Sequence, residues 1–262
     1  HPKTDETIFF DERSAAFFAL GLSKSTLNVT VLLTTSGTAV ANAFPAIIEA
    51  NQSNIPLLII SADRPPELRK NGANQSIDQI KLFSDQVRFF FDFPCPSNEF
   101  NPKKLASTLS HSIAIAKNSS VPVHLNCPFR EPLEPISVPK QQFARVYETV
   151  TIDKVSVKAT SKLKTLIENS KRGVLVLGEI TSQENQRIAF QIAKTLNWPV
   201  FADISSGCRL KNISNQLFPV DTILKSDHLI DPDLVIQIGR GLTPKIYEQW
   251  ISSLQCEHII VN

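Results

Sequence analysis

The sequence contains no methionine, and it lacks the patterns that mark membrane, zinc-binding and redox proteins. None of its apolar runs approaches the ~20 residues that a membrane-spanning helix requires. Its four cysteines are widely spaced and form no C-x-x-C pair, so neither a zinc site nor a redox motif is indicated. We expect reduced thiols in a cytosol-like compartment, and no membrane association.

Positive and negative charges are nearly balanced, and glycine is scarce. The 262 residues include 27 Lys and Arg against 25 Asp and Glu, so no basic surface for nucleic acid is expected. None of the eight glycines forms G-x-G-x-x-G or G-x-x-x-x-G-K-[ST], so neither a dinucleotide nor a nucleoside triphosphate is supported. Gly-Arg-Gly at 239–241 is better explained by a tight turn.

Short apolar runs alternate with segments of helical period along most of the chain. Strand-like runs lie at 7–10, 29–34, 56–61, 121–126, 173–178, 199–203, 234–239 and 258–262. Helical segments lie between them, at 13–22, 38–50, 101–117, 155–171, 181–196 and 243–251, with Asn101 as one N-cap and Thr181 and Glu184 as a capping box. Continuous Val, Ile and Leu in the strands predicts an α/β fold with two parallel-sheet domains that carry helices on both faces.

A proline-rich break divides this pattern. The stretch CPFREPLEPISVPK, which begins at Cys127, holds four prolines and shows neither helical nor strand period. We predict a first domain at 1–135, an extended linker at 136–151 and a second α/β domain at 152–262. The first residues enter a strand-like run without a preceding Met, which is typical of a piece that begins inside a domain. We expect the second domain to be incomplete at its end.

Three predicted strand ends in the first domain carry candidate functional residues, because ligands of open parallel sheets bind beyond the carboxyl ends of the strands. The first end contains Glu12. This residue has two interpretations: an acid in the first turn of a helix that Asp11 caps, or a carboxylate that exchanges a proton with a ligand. In the second interpretation, the neighbouring rings of Phe9, Phe10, Phe17 and Phe18 would wall this carboxylate.

The second strand end is TTSGTA at 34–39, where Gly37 separates strand from helix and backbone amides could face a ligand. The third is the loop SADRPPELRKNGANQ at 61–75. As a scaffold, this loop would pair Asp63 with Arg64 and leave Arg69 and Lys70 in solvent. As a site, it would hold the guanidinium of Arg64 for a carboxylate ligand, with Asn74 and Gln75 adding amide groups.

In this order and spacing, DERSAAFFALGLSK, TTSGTAVANAFPAIIEA and SADRPPELRKNGANQSIDQ resemble one family of thiamine diphosphate enzymes. The family is 2-succinyl-5-enolpyruvyl-6-hydroxy-3-cyclohexene-1-carboxylate synthase (MenD). VHLNCPFREPL at 123–133 is similar to the segment that closes the first domain of that family. The resemblance is dense over 9–133 and looser over 151–262, where it rests on RGVLVLG, LNWPVFAD and VIQIGRGLT.

The resemblance implies a pyrimidine-binding domain, a central domain and a diphosphate-binding domain in the complete enzyme. This chain would hold most of the first and most of the second. The third would be absent, because the chain has no G-D-G motif followed by Asn that would bind Mg²⁺ and the diphosphate. The G-S-R-S stretch of the family would lie before His1. No metal ligand is therefore expected in this chain, and the chain alone is not expected to turn over substrate.

The resemblance also assigns roles to individual residues. Glu12 would bond the pyrimidine ring nitrogen of thiamine diphosphate and favour its imino tautomer, and Ser36, Gly37 and Thr38 would pack near that ring. The implied reaction decarboxylates 2-oxoglutarate and adds the succinyl unit to isochorismate, in menaquinone or phylloquinone biosynthesis.

Both implied substrates are polycarboxylates, which would explain the charged loop. Arg64, Asn74 and Gln75 match family positions that line the substrate side of the pocket. Lys245 matches the first member of a Lys-Arg pair that reaches substrate, but its neighbour here is Ile246, so nothing transfers to that position.

Two other functions stay open at this level. One is a thiamine diphosphate carboligase or decarboxylase of the acetolactate-synthase type, which would share Glu12 and the Gly37 turn but not ADRPPEL and GANQ. The other is a non-catalytic regulatory or assembly module of the same fold. For the enzyme, the resemblance implies a homodimer or homotetramer in the cytoplasm, or in the plastid stroma of a plant or alga.

Overall fold

The chain forms two compact units that divide after Asp153, and the computed structural model describes residues 5–97, 102–133, 161–226 and 231–261. The first unit contains, in chain order, α1 (Glu12–Thr26), β1 (Thr30–Thr34), α2 (Thr38–Asn42), α3 (Phe44–Gln52), β2 (Leu57–Asp63), β3 (Phe89–Asp92), α4 (Pro102–Ser119) and β4 (Pro122–Pro128). The second contains α5 (Ser161–Asn169), β5 (Gly173–Leu177), α6 (Gln183–Leu196), β6 (Val200–Ala202), β7 (Gln216–Leu217), α7 (Val220–Leu224), β8 (Leu234–Ile238), α8 (Lys245–Ser253) and β9 (Glu257–Val261). Short 3₁₀ turns lie at Pro66–Leu68, Ser84–Gln86 and Ile204–Ser206.

The first sheet has the strand order β1-β2-β4-β3, and all its pairs are parallel. Helices α1 and α3 cover one face, where Ile47, Leu57 and Ile59 are fully buried. Helix α4 covers the other face, over Leu58 and Leu125. Successive residues of β2 thus enter opposite cores, which explains why this strand is a continuous apolar run in the sequence.

The second sheet has the strand order β7-β6-β5-β8-β9 and is also parallel throughout. Helices α5 and α6 pack on one face, around Ala189 and Ala193. Helices α7 and α8 pack on the other, where Tyr247 and Trp250 are buried. Both units therefore confirm the predicted α/β fold with parallel sheets and helices on both faces.

Some predicted elements are wrong in detail. Residues 7–10 form no strand, because no neighbouring strand among the described residues pairs with them. The helix predicted at 38–50 is two helices with a break at Ala43, since Pro45 in the first turn of α3 has no N–H to donate. Strands β3 and β7 and helix α7 are additional elements that the periodicity did not predict.

Helix caps agree with the sequence in one place and differ in another. Asp11 caps α1 and accepts from the Ser14 N–H at 2.7 Å, as expected. The N-cap of α6 is Ser182, which accepts from the Asn185 N–H at 3.4 Å, so the predicted Thr181–Glu184 capping box is wrong. The predicted N-cap Asn101 and the linker at 136–151 lie outside the described residues.

A histidine is buried in the middle of the first sheet. His124 of β4 is fully buried, and its ring lies between Phe83 and Phe90, at centroid distances of 4.9 and 5.2 Å. Its Nε2 atom is 2.7 Å from Ser61 Oγ. Burial lowers the pKa of His124 from its ordinary 6.5 to about 4, although the negative charge of Asp92 partly opposes the shift.

We expect His124→Gln to reduce the loss of stability in mild acid. As the pH falls from 7 to 4.5, the imidazole binds a proton in the unfolded chain but not in the folded unit, which costs the folded state about 2.5 kcal/mol. Urea unfolding at both pH values should therefore show a loss of unfolding free energy about 2.5 kcal/mol smaller in the variant. Ser61→Ala keeps the imidazole and should retain the wild-type loss; equal losses in all three proteins would contradict the prediction.

Candidate functional site

Glu12 begins α1 at the carboxyl edge of the first sheet. The other end of α1 lies at the amino ends of the strands, because Ser23 Oγ donates to Pro56 O at 2.7 Å and accepts from the Thr30 N–H at 2.9 Å. The Glu12 carboxylate is half-buried, and its Oε2 accepts from Asn42 Nδ2 at 3.4 Å. Its other oxygen has no hydrogen-bond donor among the described residues, so this carboxylate is available to a ligand.

The aromatic residues near Glu12 are exposed and do not bury it. Phe10 is fully exposed, Phe17 and Phe18 are close to half exposed, and Phe9 packs on Phe18 at a centroid distance of 5.0 Å. The interpretation of Glu12 as a carboxylate enclosed by these four rings is therefore wrong for the described residues. Proximity in the sequence did not predict that the rings would be exposed. They point away from the core, which α1 contacts through Ala16 and Ala19.

The turn between β1 and α2, residues 34–38, packs tightly against residues 75–79. Gly37 has φ +82°, and a Cβ atom there would lie 3.0 Å from Gln75 Cγ, so a larger residue would be strained. The Gly37 N–H donates to Gln79 Oε1 at 2.8 Å. This amide is therefore not free to face a ligand, because it already has a buried partner.

Gln75 contacts the same turn. Its Nε2 donates to Thr35 Oγ1 and to Ser36 O, both at 3.2 Å, and its carbonyl oxygen accepts from Ser36 Oγ at 3.1 Å. Gln75 has φ +55°. The structure thus brings together two groups that the sequence predicted separately, the cofactor turn and the substrate loop. Thr38, the first residue of α2, is exposed beside them.

Arg64 lies on the loop that follows β2. Its Nε donates to Asn74 O at 3.3 Å, and its Nη1 is 3.8 Å from Glu131 Oε1, a carboxylate whose side chain is 79% exposed. Such an exposed, long pair contributes little stability. The Arg64 side chain keeps 24% exposure, so its amino groups can bind a carboxylate ligand. The Asn74 side chain is exposed next to it.

Arg69 is structural and not solvated. Its Nη2 donates to Asp63 Oδ2 at 2.8 Å, and its Nη1 donates to Asp92 Oδ2 at 3.1 Å. The scaffold interpretation predicted that the side chains of Asp63 and Arg64 pair, and this is wrong. Arg64 contacts the Asp63 side chain through its main-chain N–H, which donates at 2.7 Å. Lys70 does lie in solvent, where it pairs with Asp78 at 3.1 Å.

Asn126 and Gln79 complete this network, and sequence reasoning missed both. Asn126 Nδ2 donates to Asp63 Oδ2 and Asp92 Oδ1, each at 2.8 Å, while its Oδ1 accepts from Gln79 Nε2 at 2.9 Å. A signal was present, because Ser61, Asn126 and Asp92 each interrupt an apolar run near its end. Parallel pairing places these three in one row across β2, β4 and β3.

Lys245 belongs to the second unit, where it is the exposed first residue of α8. The residue after it, Ile246, packs against the apolar core around Tyr247 and Trp250. The segment before α8 is anchored by Asp203, whose Oδ2 accepts from the Thr243 N–H at 2.8 Å. The Gly-Arg-Gly segment forms a turn in which Gly239 has φ +77°.

The described residues contain no group of three or more His, Cys, Asp or Glu side chains that could hold a metal ion. No helix within residues 5–97, 102–133, 161–226 and 231–261 is long and apolar enough to cross a membrane.

Two domain families match the chain. Residues 2–82 match "Thiamine pyrophosphate enzyme, N-terminal TPP binding domain", and residues 141–261 match "Middle domain of thiamine pyrophosphate". The candidate residues from Glu12 to Gln75 all lie in the first match, and Lys245 lies in the second.

Several curated proteins are similar to nearly the whole chain. The chain is 36% identical over 281 residues to "Protein PHYLLO, chloroplastic" of Arabidopsis thaliana, an alignment that covers 96% of this chain and 16% of that protein. It is 37% identical to the 2-succinyl-5-enolpyruvyl-6-hydroxy-3-cyclohexene-1-carboxylate synthase of Chlorobium phaeobacteroides and 39% identical to that of Listeria innocua. Each of these two alignments covers 97% of this chain and 46% of the synthase. The chain therefore spans about half the length of these synthases.

We expect Arg69→Met to destabilise the first unit by about 3–5 kcal/mol, because it leaves the buried carboxylate of Asp63 without its cation. Denaturant unfolding would measure this loss. Lys70→Met is the matched control, since it removes an exposed ion pair and should cost about 0–1 kcal/mol. Similar losses in the two variants would contradict a structural role for Arg69.

Proposed function

We propose that this chain, which belongs to the family of thiamine pyrophosphate-dependent enzymes, supplies the pyrimidine-binding and central domains of a 2-succinyl-5-enolpyruvyl-6-hydroxy-3-cyclohexene-1-carboxylate synthase. The whole enzyme would decarboxylate 2-oxoglutarate and add the succinyl unit to isochorismate, in menaquinone or phylloquinone biosynthesis. The names and similarity of the relatives from Chlorobium and Listeria support this assignment.

The contact between Gln75 and the Gly37 turn carries the proposal. Gln75 is a predicted substrate residue, and it hydrogen-bonds Ser36 of the predicted cofactor turn in both directions. Arg64 lies on the same loop as Gln75, and its Nε donates to Asn74 O. A cation beside a cofactor turn suits a reaction in which both substrates are carboxylates, because guanidinium and carboxylate groups match in geometry.

The described residues also fit an aminopyrimidine ring. Glu12 offers a half-buried carboxylate to a ring nitrogen, and Asn42, which contacts that carboxylate, ends the helix that begins after Gly37. Five helical residues advance about 7 Å, so Glu12 and the Gly37 turn are within the span of one ligand. Thr34 Oγ1 is buried at this edge and has no hydrogen-bond partner among the described residues.

When bound, thiamine diphosphate would supply the electron sink for decarboxylation. Glu12 would hold or transfer a proton at the ring nitrogen through its free carboxylate oxygen. The pyrimidine ring would pack against Ser36, Gly37 and Thr38. A substrate carboxylate would be oriented by Arg64, Asn74 and Gln75. Lys245, in the second unit, stays a predicted substrate contact.

The remaining assignments of the whole enzyme are part of the same proposal. Mg²⁺ and the cofactor diphosphate would be held by a diphosphate-binding domain, as the resemblance implies. A homodimer or homotetramer, and a location in the cytoplasm or the plastid stroma, follow from the same resemblance. The word "chloroplastic" in the name of the Arabidopsis relative supports the plastid alternative.

We expect Glu12→Gln to lower turnover at least about 100-fold, since proton transfer by a positioned side chain contributes about 10²–10⁴ in rate. The measurement is isochorismate consumption by the full-length protein with thiamine diphosphate, Mg²⁺ and 2-oxoglutarate. Glu49→Gln is the control, because that carboxylate is exposed on α3 and accepts only from Ser53 Oγ among the described residues. Consumption that survives Glu12→Gln would reduce Glu12 to a first-turn acid, and pyruvate decarboxylation in its place would favour the acetolactate-synthase type.

We expect Arg64→Ala to raise the KM of at least one carboxylate substrate about 10–100-fold, because it removes a charge-assisted hydrogen bond of about 1.5–3 kcal/mol. Thiamine diphosphate affinity should stay within about threefold of wild type. Arg88→Ala is the matched control, since the Arg88 N–H binds Pro122 O at the amino edge of the sheet, opposite to the site. Unchanged KM values for both substrates would exclude Arg64 from substrate binding.

A further inference from the structure

Gln79 is fully buried, and its side chain bonds in two directions. Its Oε1 accepts from the Gly37 N–H at 2.8 Å. Its Nε2 donates to Asn126 Oδ1 at 2.9 Å and to Ala62 O at 3.0 Å. One amide group thus connects the turn after β1 to the carboxyl ends of β2 and β4.

The Gly37 N–H has no alternative partner. Gly37 is the N-cap residue of α2, where the first amides of a helix have no acceptor within the helix. No other described residue accepts from this amide, and the residue is buried. Without Gln79 the amide would be unpaired in the interior, so the turn would move to find another acceptor.

The segment 75–79 holds the turn at two points. Gln75 contacts Thr35 and Ser36 at the protein surface, and Gln79 contacts Gly37 four residues later in the interior. Because Gln79 also bonds Asn126, the inner contact is fixed to the sheet. The outer contact alone would leave the turn attached to an exposed loop.

We propose that Gln79 is a positioning residue that fixes the Gly37 turn to the ends of β2 and β4, and so sets the cofactor-facing turn relative to the substrate-facing loop. The inference rests on the proposed function for the statement that the turn faces a cofactor. Gln79 does not touch the ligand in this arrangement; it acts through Gly37 and through the residues that precede it on the loop.

The test compares Gln79→Met with Gln86→Met in the full-length protein. Methionine has a similar length but cannot accept from the Gly37 amide, whereas Gln86 Oε1 accepts from Asn51 Nδ2 at 3.2 Å, away from the turn. In Gln79→Met we expect amide hydrogen exchange at 34–40 to be at least tenfold faster and the thiamine diphosphate dissociation constant at least tenfold higher. Gln86→Met should leave both within threefold of wild type.

Two results of this comparison would overturn the proposal. A folded Gln79→Met protein with wild-type exchange at 34–40 and wild-type cofactor affinity would reduce Gln79 to a general stability role. Equal changes in Gln86→Met would mean that any loss of stability loosens the turn.

Gln79→Glu keeps the proposal testable if Gln79→Met does not fold. A protonated acid can still accept from Gly37 and donate to Asn126, but a carboxylate cannot donate, and burial raises the pKa of such a group. We expect near-wild-type thiamine diphosphate affinity at pH 6 and at least tenfold weaker affinity than wild type at pH 8. An equal ratio to wild type at both pH values would overturn the proposal.

Failure of the proposed function can be recognised separately. If the wild-type protein binds thiamine diphosphate but does not consume isochorismate with 2-oxoglutarate, the substrate assignment fails while the affinity comparison still decides the role of Gln79. If the wild-type protein does not bind the cofactor, the statement about a cofactor-facing turn fails, and the exchange rates at 34–40 alone decide whether Gln79 fixes the turn.

Discussion

The buried carboxylate of Asp63 at the end of β2 is the constraint on which the edge of the first sheet depends. A buried charge requires a partner and hydrogen bonds, and Asp63 obtains them from Arg69, Asn126 and the Arg64 N–H. The Arg69 side chain bonds both Asp63 and Asp92, so the loop after β2 folds back over the sheet edge. Arg64 lies on this loop before it folds back, and its side chain stays partly exposed.

The same network extends to the Gly37 turn. Asn126 Oδ1 accepts from Gln79 Nε2, and Gln79 Oε1 accepts from the Gly37 N–H. One set of buried polar groups therefore orders both the loop that carries Arg64 and the turn that carries Ser36. A site built in this way needs no enclosed pocket within the first unit, since its candidate ligand groups are held in position from beneath.

A buried aspartate also anchors a segment of the second unit. Asp203 follows β6 and is buried, which alone would raise its pKa, but hydrogen bonds from Ser205 and Thr243 outweigh burial and lower the pKa of Asp203. The bond to Thr243 anchors the segment that leads to α8, where Lys245 is exposed. In both units a buried Asp at the end of a strand, or directly after it, thus anchors the segment that carries a candidate ligand residue.

Much of this protein was determined by local sequence. Apolar runs specified β2, β4, β5 and β8, because a strand buried on both faces must be continuously apolar. An apolar run also specified β1, although Val31 and Leu33 on one of its faces are exposed. Asp11 specified the start of α1. The partner of Arg69 and the role of Gln79 were decided only by the tertiary structure. Asp63, Asp92 and Asn126 are far apart in the chain and become neighbours only when β2, β4 and β3 pair in register. The exposure of Phe10 was decided in the same way, since an apolar run forms a strand only where another strand can receive its hydrogen bonds.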